Sequence, residues 1–315
     1  MTLAPTRIGT HDGAFHADEV LATAILTKIY PDHHIIRTRD PDIWSMIDIL
    51  VDVGGVYDPF YNRYDHHMPE PPKDHLGHYY SSAGLIWKHY HKEYFKIIGI
   101  PTDFVFKDVT YDLYRPVEKH LRTHWIYPID RVDNGTAQCP TPISDIIKAM
   151  RPIDAEKSRK RYDEAFLDTV SMVSHLFYRS CFHAVDHVIA KIRANAGEKI
   201  YYDDQRIIFT EYPIPDPKNY AMTKAHFLIY PQDDYDGSER YMVIRPVQNP
   251  LTKEFKTPFS SAMLGFRQEA IHKKIGIDGI VYCHHNGFSA LAVDKESALT
   301  LCQYLLAIQQ DSEFI

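Results

Sequence analysis

The feature that most constrains the fold is a near-continuous apolar run at residues 48–53 (DILVDV), which ends at a pair of glycines. Such a run is typical of a strand buried between two layers of helices in a parallel sheet. A strand candidate at residues 7–10 precedes helix-spaced apolar residues at 16–30, and a second helix is predicted over residues 81–98. The N-terminal half is therefore predicted to be α/β, with a mostly parallel sheet and flanking helices.

The second half of the chain has a different pattern. Residues 154–196 contain no proline or glycine and have helical apolar spacing, so we predict one or two long helices there. Shorter strand-like runs follow Gly197, with helices predicted near residues 261–273 and 295–308. We therefore predict a larger domain over residues 1–196 and a smaller C-terminal α/β domain over residues 197–315.

Charge and composition narrow the class of protein. The 315 residues are 44% hydrophobic and 24% charged, with a formal net charge of -7, which is typical of a soluble globular protein. The acidity argues against nonspecific binding to duplex nucleic acid, which needs a basic face. No apolar run is long enough to span a bilayer, so no membrane is expected. Four scattered cysteines without paired spacing favour a reducing compartment. A cytoplasmic location is expected, with nucleus and mitochondrion left open.

Histidines and carboxylates recur where the predicted strands end. The first group lies in residues 10–19 (THDGAFHADE), between a strand and a helix, and the second is Asp52, at the end of the apolar run. Each group has an ordinary structural explanation. Asp18 and Glu19 suit the first turn of a helix, and a loop hydrogen bond could compensate the charge of Asp52. However, ligands bind at the carboxyl ends of strands in open α/β sheets, so both groups are candidate site residues.

Two further groups follow. The third is residues 64–67 (YDHH), where adjacent histidines point in different directions, so that one can bind a metal ion and the other a substrate. A second Asp-His-His at residues 32–34 is interpreted as unrelated, because no carboxylate-bearing strand precedes it. The fourth group holds Asp130 and Asp133 before an Asn-Gly turn, which leaves open which of the two faces the site.

Together these groups offer enough oxygen and imidazole ligands for two divalent ions. Their composition suits Mn²⁺ or Mg²⁺ better than structural zinc, which favours thiolates. Two ions held close together activate water and neutralise the leaving oxygen in phosphoryl hydrolysis. We therefore expect two divalent ions as cofactors, with Mn²⁺ preferred and Mg²⁺ as the alternative.

The order of the motifs resembles the DHH superfamily of phosphoesterases and, more narrowly, the melanocyte-proliferating-gene family. The residues that carry the resemblance are THDGAFHADE, VDVGG, YDHH, SSAGLIW and VDNG, with HHNGF near the C-terminus. The resemblance implies a DHH-type catalytic domain and 3′–5′ exonuclease activity on short single-stranded RNA or oligonucleotides. The metal ligands that it implies are His11, His16, Asp18, Asp52, Asp65, His66 and Asp133.

The resemblance also implies roles for other residues. It makes His67 a contact to the substrate phosphate and a catalytic residue together with Asp52 and Asp65. The substrate-binding residues that it implies in the second domain are His284, His285, Asn286 and Gly287. Many superfamily members carry an acidic residue where His16 stands, so this site is less negative than theirs.

Two other functions remain as alternatives. One is hydrolysis of a small phosphoanhydride or nucleotide, which the acidic net charge suits. The other is a regulatory protein that binds metal without turnover. An intact set of ligands argues against the second alternative, because loss of activity leaves ligands free to change.

Overall fold

The computed structural model describes residues 5–137, 141–153, 157–234 and 236–313. It divides into two compact units, Met1–Asp186 and His187–Ile315. The division falls inside a long helix that ends at Ala196. The predicted boundary at 196/197 coincides with the end of that helix and stays a prediction. No helix in the described residues has an 18-residue stretch apolar enough to cross a bilayer.

A five-stranded sheet forms the centre of the first unit. Its strands are β1 (Thr6–Thr10), β2 (His33–Arg37), β3 (Ile49–Val51), β4 (Tyr57–Asp58) and β5 (Arg63–Tyr64). The order is β2-β1-β3-β5-β4. β1 pairs in parallel with β2 and β3, and β3 pairs in parallel with β5, whereas the edge strand β4 is antiparallel to β5. The predicted mostly parallel sheet is confirmed.

Helices flank this sheet. They are α1 (Ala17–Ile29), α2 (Pro41–Trp44), α3 (Ser82–Ile98), α4 (Tyr114–Leu121), α5 (Tyr127–Asp133), α6 (Pro142–Ala149) and α7 (Arg159–Ala196). A π-helical turn, Arg122–Ile126, joins α4 to α5, and β6 (Asp103–Phe106) with β7 (Val109–Asp112) forms a hairpin. The predicted α1 and α3 are confirmed, and they pack against each other. The predicted long helix is α7; residues 154–156 lie outside the described residues.

Aromatic contacts fasten α7 to the rest of the first unit. Phe166 meets Phe15, which precedes α1, in an edge-to-face contact with ring centroids 5.6 Å apart. Further along α7, Phe177 meets Trp87 of α3 at 5.4 Å. All four side chains are buried, so this part of α7 belongs to the core beneath the sheet.

The second unit contains a six-stranded sheet in the order β12-β13-β11-β10-β9-β8. Its strands are β8 (Lys199–Tyr202), β9 (Ile207–Thr210), β10 (Phe227–Asp233), β11 (Arg240–Pro246), β12 (Ile280–Cys283) and β13 (Ala290–Ala292). Its helices are α8 (Gln268–Ile275) and α9 (Lys295–Glu313). The predicted α/β domain is confirmed. Its strand pairs are antiparallel except β9 with β10.

The parallel register separates the two Asp-His-His segments. His33 pairs with Thr6 at the start of β1, so residues 32–34 lie at the amino-end edge of the sheet. Asp65 and its two histidines follow β5 at the opposite, carboxyl edge. The interpretation of residues 32–34 as unrelated to the site agrees with this placement.

Candidate metal centre

Three strands end at the same edge and deliver the first side chains of the site. His11 follows β1, Asp52 follows β3 and Asp65 follows β5, and all three side chains are buried. Because β1, β3 and β5 run in parallel, their carboxyl ends meet at this edge. The topology therefore brings together residues that are more than fifty positions apart in the chain.

The loop after β1 and the first turn of α1 add two more carboxylates. Glu19 Oε1 accepts a hydrogen bond of 2.7 Å from the backbone N–H of His16, so it caps the start of the helix. Asp18 and Glu19 are both fully buried. Among the described residues, neither oxygen of Asp18 nor Glu19 Oε2 has a hydrogen-bond partner. Buried carboxylate oxygens without partners are costly unless a cation neutralises them.

Asp52 lies between two histidines, with one carboxylate oxygen toward each. Its Oδ2 is 3.3 Å from His11 Nε2, and its Oδ1 is 3.3 Å from His66 Nε2. Ser82, at the start of α3, donates a hydrogen bond of 3.0 Å to Oδ1. The backbone of Asp52 has a φ of +57°, a left-handed conformation that is uncommon outside glycine and clusters at functional sites. The geometry is that of a carboxylate shared between two neighbouring positions.

The two histidines also contact other carboxylates. His11 Nε2 is 3.1 Å from Glu19 Oε1, and its Nδ1 is 2.9 Å from the carbonyl oxygen of Asp12. Arg39 Nη2 approaches the same Nδ1 at 3.0 Å, and only one of these two contacts is a hydrogen bond in a given tautomer. When Nδ1–H donates to the carbonyl, Nε2 presents a lone pair to the carboxylates, which is the usual arrangement of a metal-binding histidine.

His66 occupies the other half of the cluster. Its Nε2 is 2.9 Å from Asp133 Oδ2 and 3.9 Å from Asp18 Oδ2, in addition to the contact with Asp52. Among the described residues, this nitrogen has no hydrogen-bond partner, because none of the three carboxylates is aligned with it. It therefore lies among three carboxylates as a donor atom would around a shared ion.

The electrostatics reflect this crowding. Burial raises the pKa of Asp18 well above its ordinary value, and the negative charges of Asp52 and Asp133 raise it further. Burial also raises the pKa of Asp52, but the contacts with His11 and His66 outweigh it and lower the pKa overall. For both histidines burial lowers the pKa, while the neighbouring carboxylates raise it to about 10. The cluster thus binds positive charge strongly.

The donor atoms form four sets, each of which could hold a metal ion. Within each set, the atoms lie within 4.8 Å of one another. The sets are His11, His16 and Glu19; Asp52, His66 and His67; Asp18, His66 and Asp133; and Asp18, Glu19 and Asp52. Oxygen and imidazole donors in this number suit Mn²⁺ or Mg²⁺. Together with the unpartnered oxygens of Asp18 and Glu19, they fit divalent ions. Of the predicted ligands, Asp65 alone belongs to none of the sets found in the described residues.

Asp65 holds His67, and its predicted role as a metal ligand stays a prediction. Its Oδ1 accepts hydrogen bonds from the backbone N–H groups of His66 and His67, at 2.7 and 3.1 Å, and lies 2.8 Å from His67 Nδ1. Its Oδ2 accepts from the N–H of Gly55, whose φ of +68° suits glycine. Burial raises the pKa of Asp65, but these hydrogen bonds lower it overall. With its oxygens engaged in this way, Asp65 orients the ring of His67, and the hydrogen bond raises the pKa of that histidine.

The two aspartates of the fourth group lie one turn apart on α5 and do different things. Asp133 contacts His66. Asp130 is buried and accepts hydrogen bonds from the N–H and Oγ of Ser81 at the start of α3, at 2.9 and 2.7 Å. Burial raises the pKa of Asp130 to about 7. The geometry thus places Asp133 against His66 and Asp130 against Ser81, and the assignment of Asp133 as the metal ligand stays a prediction.

Two contributors were missed by the sequence analysis. Glu19 was considered only as a residue of the helix's first turn, and the motif carried no sign that its second oxygen would be buried. Arg37, at the end of β2, is buried; it donates 2.8 Å to the carbonyl of Gly13 and 2.9 Å to Asp163 of α7. It therefore fixes the loop that carries His11 and His16, and a lone arginine in a strand gives no sequence sign of such a contact.

The cluster opens into a cavity of about 920 Å³ within the first unit. His11, His16, Asp18, Asp52 and Asp133 contribute to its lining, and the side chain of His67 is 63% exposed there. A cavity of this size accommodates a nucleotide-sized ligand. The donor atoms are thus buried yet reachable from the cavity.

The predicted substrate-binding residues of the second unit form the turn between β12 and β13. His284 N–H donates 2.9 Å to the carbonyl of Ser289, and Gly287 N–H donates 2.8 Å to the carbonyl of His284. His285 and Asn286 are exposed at the tip. The turn thus leaves two polar side chains free of the hairpin's own backbone contacts, and their role in binding stays a prediction.

The chain is similar to a known protein family and to proteins of several organisms. The model of the MYG1 exonuclease family, described as an uncharacterised protein family (UPF0160), matches residues 7–306. The MYG1 exonuclease of Homo sapiens is 28% identical over 337 residues, covering 97% of this chain and 87% of that protein. A MYG1 protein of Chlamydia pneumoniae is 29% identical over 316 residues, and the alignment covers 96% of each of the two chains. The solved structure of a pGpG-specific phosphodiesterase from Vibrio cholerae aligns over 97% of this chain and 99% of its own chain. The sequence identity is 12% and the TM-score is 0.30, which is too low to assign fold or activity.

Proposed function

This chain belongs to the MYG1 exonuclease family, and on that basis we propose that it is a divalent-metal-dependent phosphodiesterase acting as an exonuclease. The names of the relatives support a nuclease. We further propose a DHH-type phosphoesterase site, single-stranded RNA or a short oligonucleotide as substrate, and digestion in the 3′–5′ direction. These finer statements rest on the motifs of the sequence.

One observation carries the proposal. Asp18, Glu19, Asp52 and Asp133 place four carboxylates around two imidazoles at the carboxyl edge of the sheet, with oxygens of Asp18 and Glu19 buried and unpartnered. Repulsion among these carboxylates has no benefit for folding, since each would be more stable separately solvated. A site that concentrates negative charge at the floor of a cavity is suited to hold divalent cations and, through them, a phosphate.

The proposed ligands divide around Asp52. His11, His16 and Glu19 lie on one side of its carboxylate, and Asp18, His66 and Asp133 lie on the other. Bound there, a pair of divalent ions would supply a water of lowered pKa and neutralise the charge that develops on the phosphate oxygens. Ser82 keeps Asp52 in place through its hydrogen bond.

His67 has a separate proposed role. Asp65 accepts the hydrogen bond from Nδ1–H of His67, which leaves Nε2 of this largely exposed ring facing away from Asp65. A protonated Nε2 donates a hydrogen bond to a nonbridging oxygen of the scissile phosphate, where negative charge develops. Asp65 raises the pKa of His67 and so favours this protonated form. His67 is therefore proposed as a catalytic residue, and Asp65 as its positioning residue.

A substrate screen tests the proposal. The purified chain is incubated with end-labelled single-stranded RNA, single-stranded DNA, dinucleotides and pyrophosphate, each with Mn²⁺, Mg²⁺ or Zn²⁺. We expect mononucleotide release from RNA with Mn²⁺, with the label at one end showing the direction, and no release by Asp52→Ala. The matched control is Asp48→Ala, since Asp48 is a surface aspartate of the same segment that pairs with Arg7.

The other outcomes separate the alternatives. Hydrolysis of pyrophosphate without hydrolysis of any oligonucleotide would replace the exonuclease with a phosphoanhydride hydrolase. Stoichiometric metal binding without turnover of any substrate would favour a regulatory protein. Equal turnover by wild-type and Asp52→Ala protein would show that the cluster is not the active site.

A further inference from the structure

The cavity that contains the metal centre also has three cationic side chains in its lining. Lys148 lies near the end of α6, Arg151 follows that helix, and Arg39 follows β2. Of the acidic residues in that described lining, Asp65 and Asp145 lie outside the donor sets, and Asp65 is paired with His67. We propose that Lys148 and Arg151 bind a phosphate group of the substrate other than the one that is cleaved. The proposal deepens the proposed function and rests on it.

The helix places Lys148 and Arg151 together. They are three residues apart, and Met150 between them still has right-handed helical backbone angles. Residues three apart lie on the same face of a helix, so both side chains project toward the cavity that they line. Two cations at this spacing can engage one phosphate from neighbouring directions.

The guanidinium group of Arg151 lies near a buried aromatic ring. Its guanidinium carbon lies 5.9 Å from the centre of the Phe15 ring, and Phe15 is fully buried against Phe166. Its Nε is buried and has no hydrogen-bond partner among the described residues. A buried guanidinium N–H without an acceptor is costly, so the structure leaves a donor for an incoming anion.

The charges of Lys148 and Arg39 differ in how far they are compensated. Lys148 is exposed, and no carboxylate of the described residues lies within ion-pair distance of its Nζ. Arg39 is partly compensated, because its Nε lies 3.5 Å from Asp12 Oδ1. Its Nη2 is 3.0 Å from His11, so Arg39 lies beside the metal centre. Lys148 and Arg151 therefore contribute most of the free positive charge.

The metal centre itself explains why this subsite takes a second phosphate. The scissile phosphate is proposed to lie with the ions and His67, whereas Lys148 and Arg151 line the same cavity from the end of α6. Guanidinium and ammonium groups are the usual protein partners of phosphate. A cavity of about 920 Å³ is large enough for more than one phosphate. The substrate class that fits is a nucleotide chain with a phosphate beside the scissile one.

Binding to metal-free protein isolates the subsite. Without cations the carboxylates of the centre repel phosphate, and the part of the affinity gain that is lost when Lys148 and Arg151 are both replaced reports the subsite. The measurement is calorimetric titration of AMP and of adenosine into protein freed of metal by chelation and dialysis. We expect AMP to bind at least about tenfold more tightly than adenosine, a difference of about 1.4 kcal/mol, because its phosphate accepts charge-assisted hydrogen bonds from the two side chains. That preference is expected to be lost in the double variant Lys148→Ala/Arg151→Ala.

The control is Lys160→Ala, which removes a cation of α7 whose side chain is 85% exposed and which does not line the cavity. This variant is expected to keep the preference for AMP. Equal affinity of the wild-type protein for AMP and adenosine would overturn the proposal. A preference for AMP that survives in the double variant would overturn it as well.

Kinetics on dinucleotides then connect the subsite to the reaction. With Mn²⁺, kcat/KM is measured for ApA, for pApA with a 5′-phosphate and for ApAp with a 3′-phosphate. We expect one of the two added phosphates to raise kcat/KM at least about tenfold, and the ratio to fall toward one in the double variant. Wild-type protein that cleaves none of the three contradicts the proposed function, whereas cleavage without any gain from an added phosphate contradicts the subsite.

Discussion

At the scale of single residues, His66 and His67 are adjacent in the chain but have different surroundings. The Nε2 of His66 is buried among the carboxylates of Asp18, Asp52 and Asp133. The ring of His67 is largely exposed to the cavity and is held by Asp65. The backbone between them turns one ring inward and the other outward, which is how one loop can serve both a metal ion and a substrate.

This difference gives the first prediction. His66→Ala should lose Mn²⁺ affinity first, with activity partly recovered at high Mn²⁺, because a ligand has been removed. His67→Ala should keep its Mn²⁺ stoichiometry and lose on the order of 10² to 10³ in kcat, the range for a donor that stabilises transition-state charge. Calorimetric Mn²⁺ titration and steady-state kinetics of both variants provide the check. Equal loss of metal in the two variants would contradict the division of roles.

The site contains residues that the sequence motifs predict and one, Glu19, that they do not. The motifs identified His11, His16, Asp18, Asp52, His66 and Asp133, and the structure brings these six together. Glu19 could not be recognised, because a glutamate three residues after a helix start has a sufficient explanation as a cap, and here it is also that cap. Whether its other oxygen faces solvent or the cluster depends on the packing of α1, which no local pattern shows.

At the scale of elements, the start of α3 connects two parts of the site. Ser82 donates to Asp52, and Ser81 donates to Asp130 of α5. Gly84, the third residue of α3, is where α5 approaches closely, because a Cβ there would overlap the carboxylate of Asp130. The helices α3 and α5 thus hold Asp52 and Asp133 at a defined separation.

Asp130 and Asp133 provide a matched pair of variants on one helix. Asp133→Asn should weaken Mn²⁺ binding, whereas Asp130→Asn should preserve it, because only Asp133 contacts the cluster. The folded pKa of Asp130 is raised to about 7 from an unfolded value near 3.9. Between those values the folded protein keeps a proton that the unfolded chain loses, so this group stabilises the fold at low pH and that contribution falls as pH rises.

The pH dependence follows from this sign. Asp130→Asn lacks the titration, so its free energy of unfolding relative to wild type should increase from pH 4 to pH 7. Urea denaturation of the two proteins at several pH values measures that difference, with metal removed. A difference that is constant across this range would contradict a buried, protonated Asp130.

Arg37 gives the second prediction at this scale. The side chain joins β2 to the loop of Gly13 and to Asp163 of α7, and its guanidinium group contacts the rings of both Phe15 and Phe166. Arg37→Ala should lower the free energy of unfolding by about 1 to 3 kcal/mol, because the carbonyl of Gly13 and the partly exposed Asp163 lose a charged hydrogen-bond donor. It should also weaken Mn²⁺ binding through His11 and His16. Arg161→Ala, on the exposed face of α7, is the control and should change neither quantity.

The elements differ in how far sequence could predict them. Helices α1, α3 and α9 and the strand β3 follow from apolar spacing, because each has buried apolar residues. The short helices α4 and α6 and the three-residue strand β13 were not predicted. Segments of this length contain too few turns or alternations for a period to stand out, and tertiary packing decides their conformation.

At the scale of the whole molecule, all candidate ligands belong to the first compact unit. Metal binding should therefore stabilise that unit specifically. Mn²⁺ at about a hundredfold over its Kd contributes about 2.7 kcal/mol, which corresponds to roughly 5 to 10 °C in the Tm of a unit of this size. Differential scanning calorimetry with and without Mn²⁺ measures the shift. Asp52→Ala should show none, and a shift retained in that variant would place the metal elsewhere.

The change in pattern after the long helix predicts two domains, and that boundary stays a prediction, whereas no residue pattern predicted the neighbour relations within each sheet. Alternating strands and helices indicate parallel pairing, but the order β2-β1-β3-β5-β4 depends on which helices cover which face. In the second unit, the chain pairs β9 and β10 in parallel amid antiparallel neighbours. Such pairings are long-range choices that local residue patterns do not encode.

The most direct measurement is an anomalous difference map from crystals of the full chain grown with Mn²⁺. We expect manganese peaks within about 2.0 to 2.6 Å of ligand oxygens and nitrogens. One peak should lie between Asp52 and His66, with Asp133 as a further ligand, and a second between Asp52 and His11. Manganese bound elsewhere, or no peak within about 4 Å of Asp52 at saturating Mn²⁺, would contradict a metal-dependent active site at this edge of the sheet.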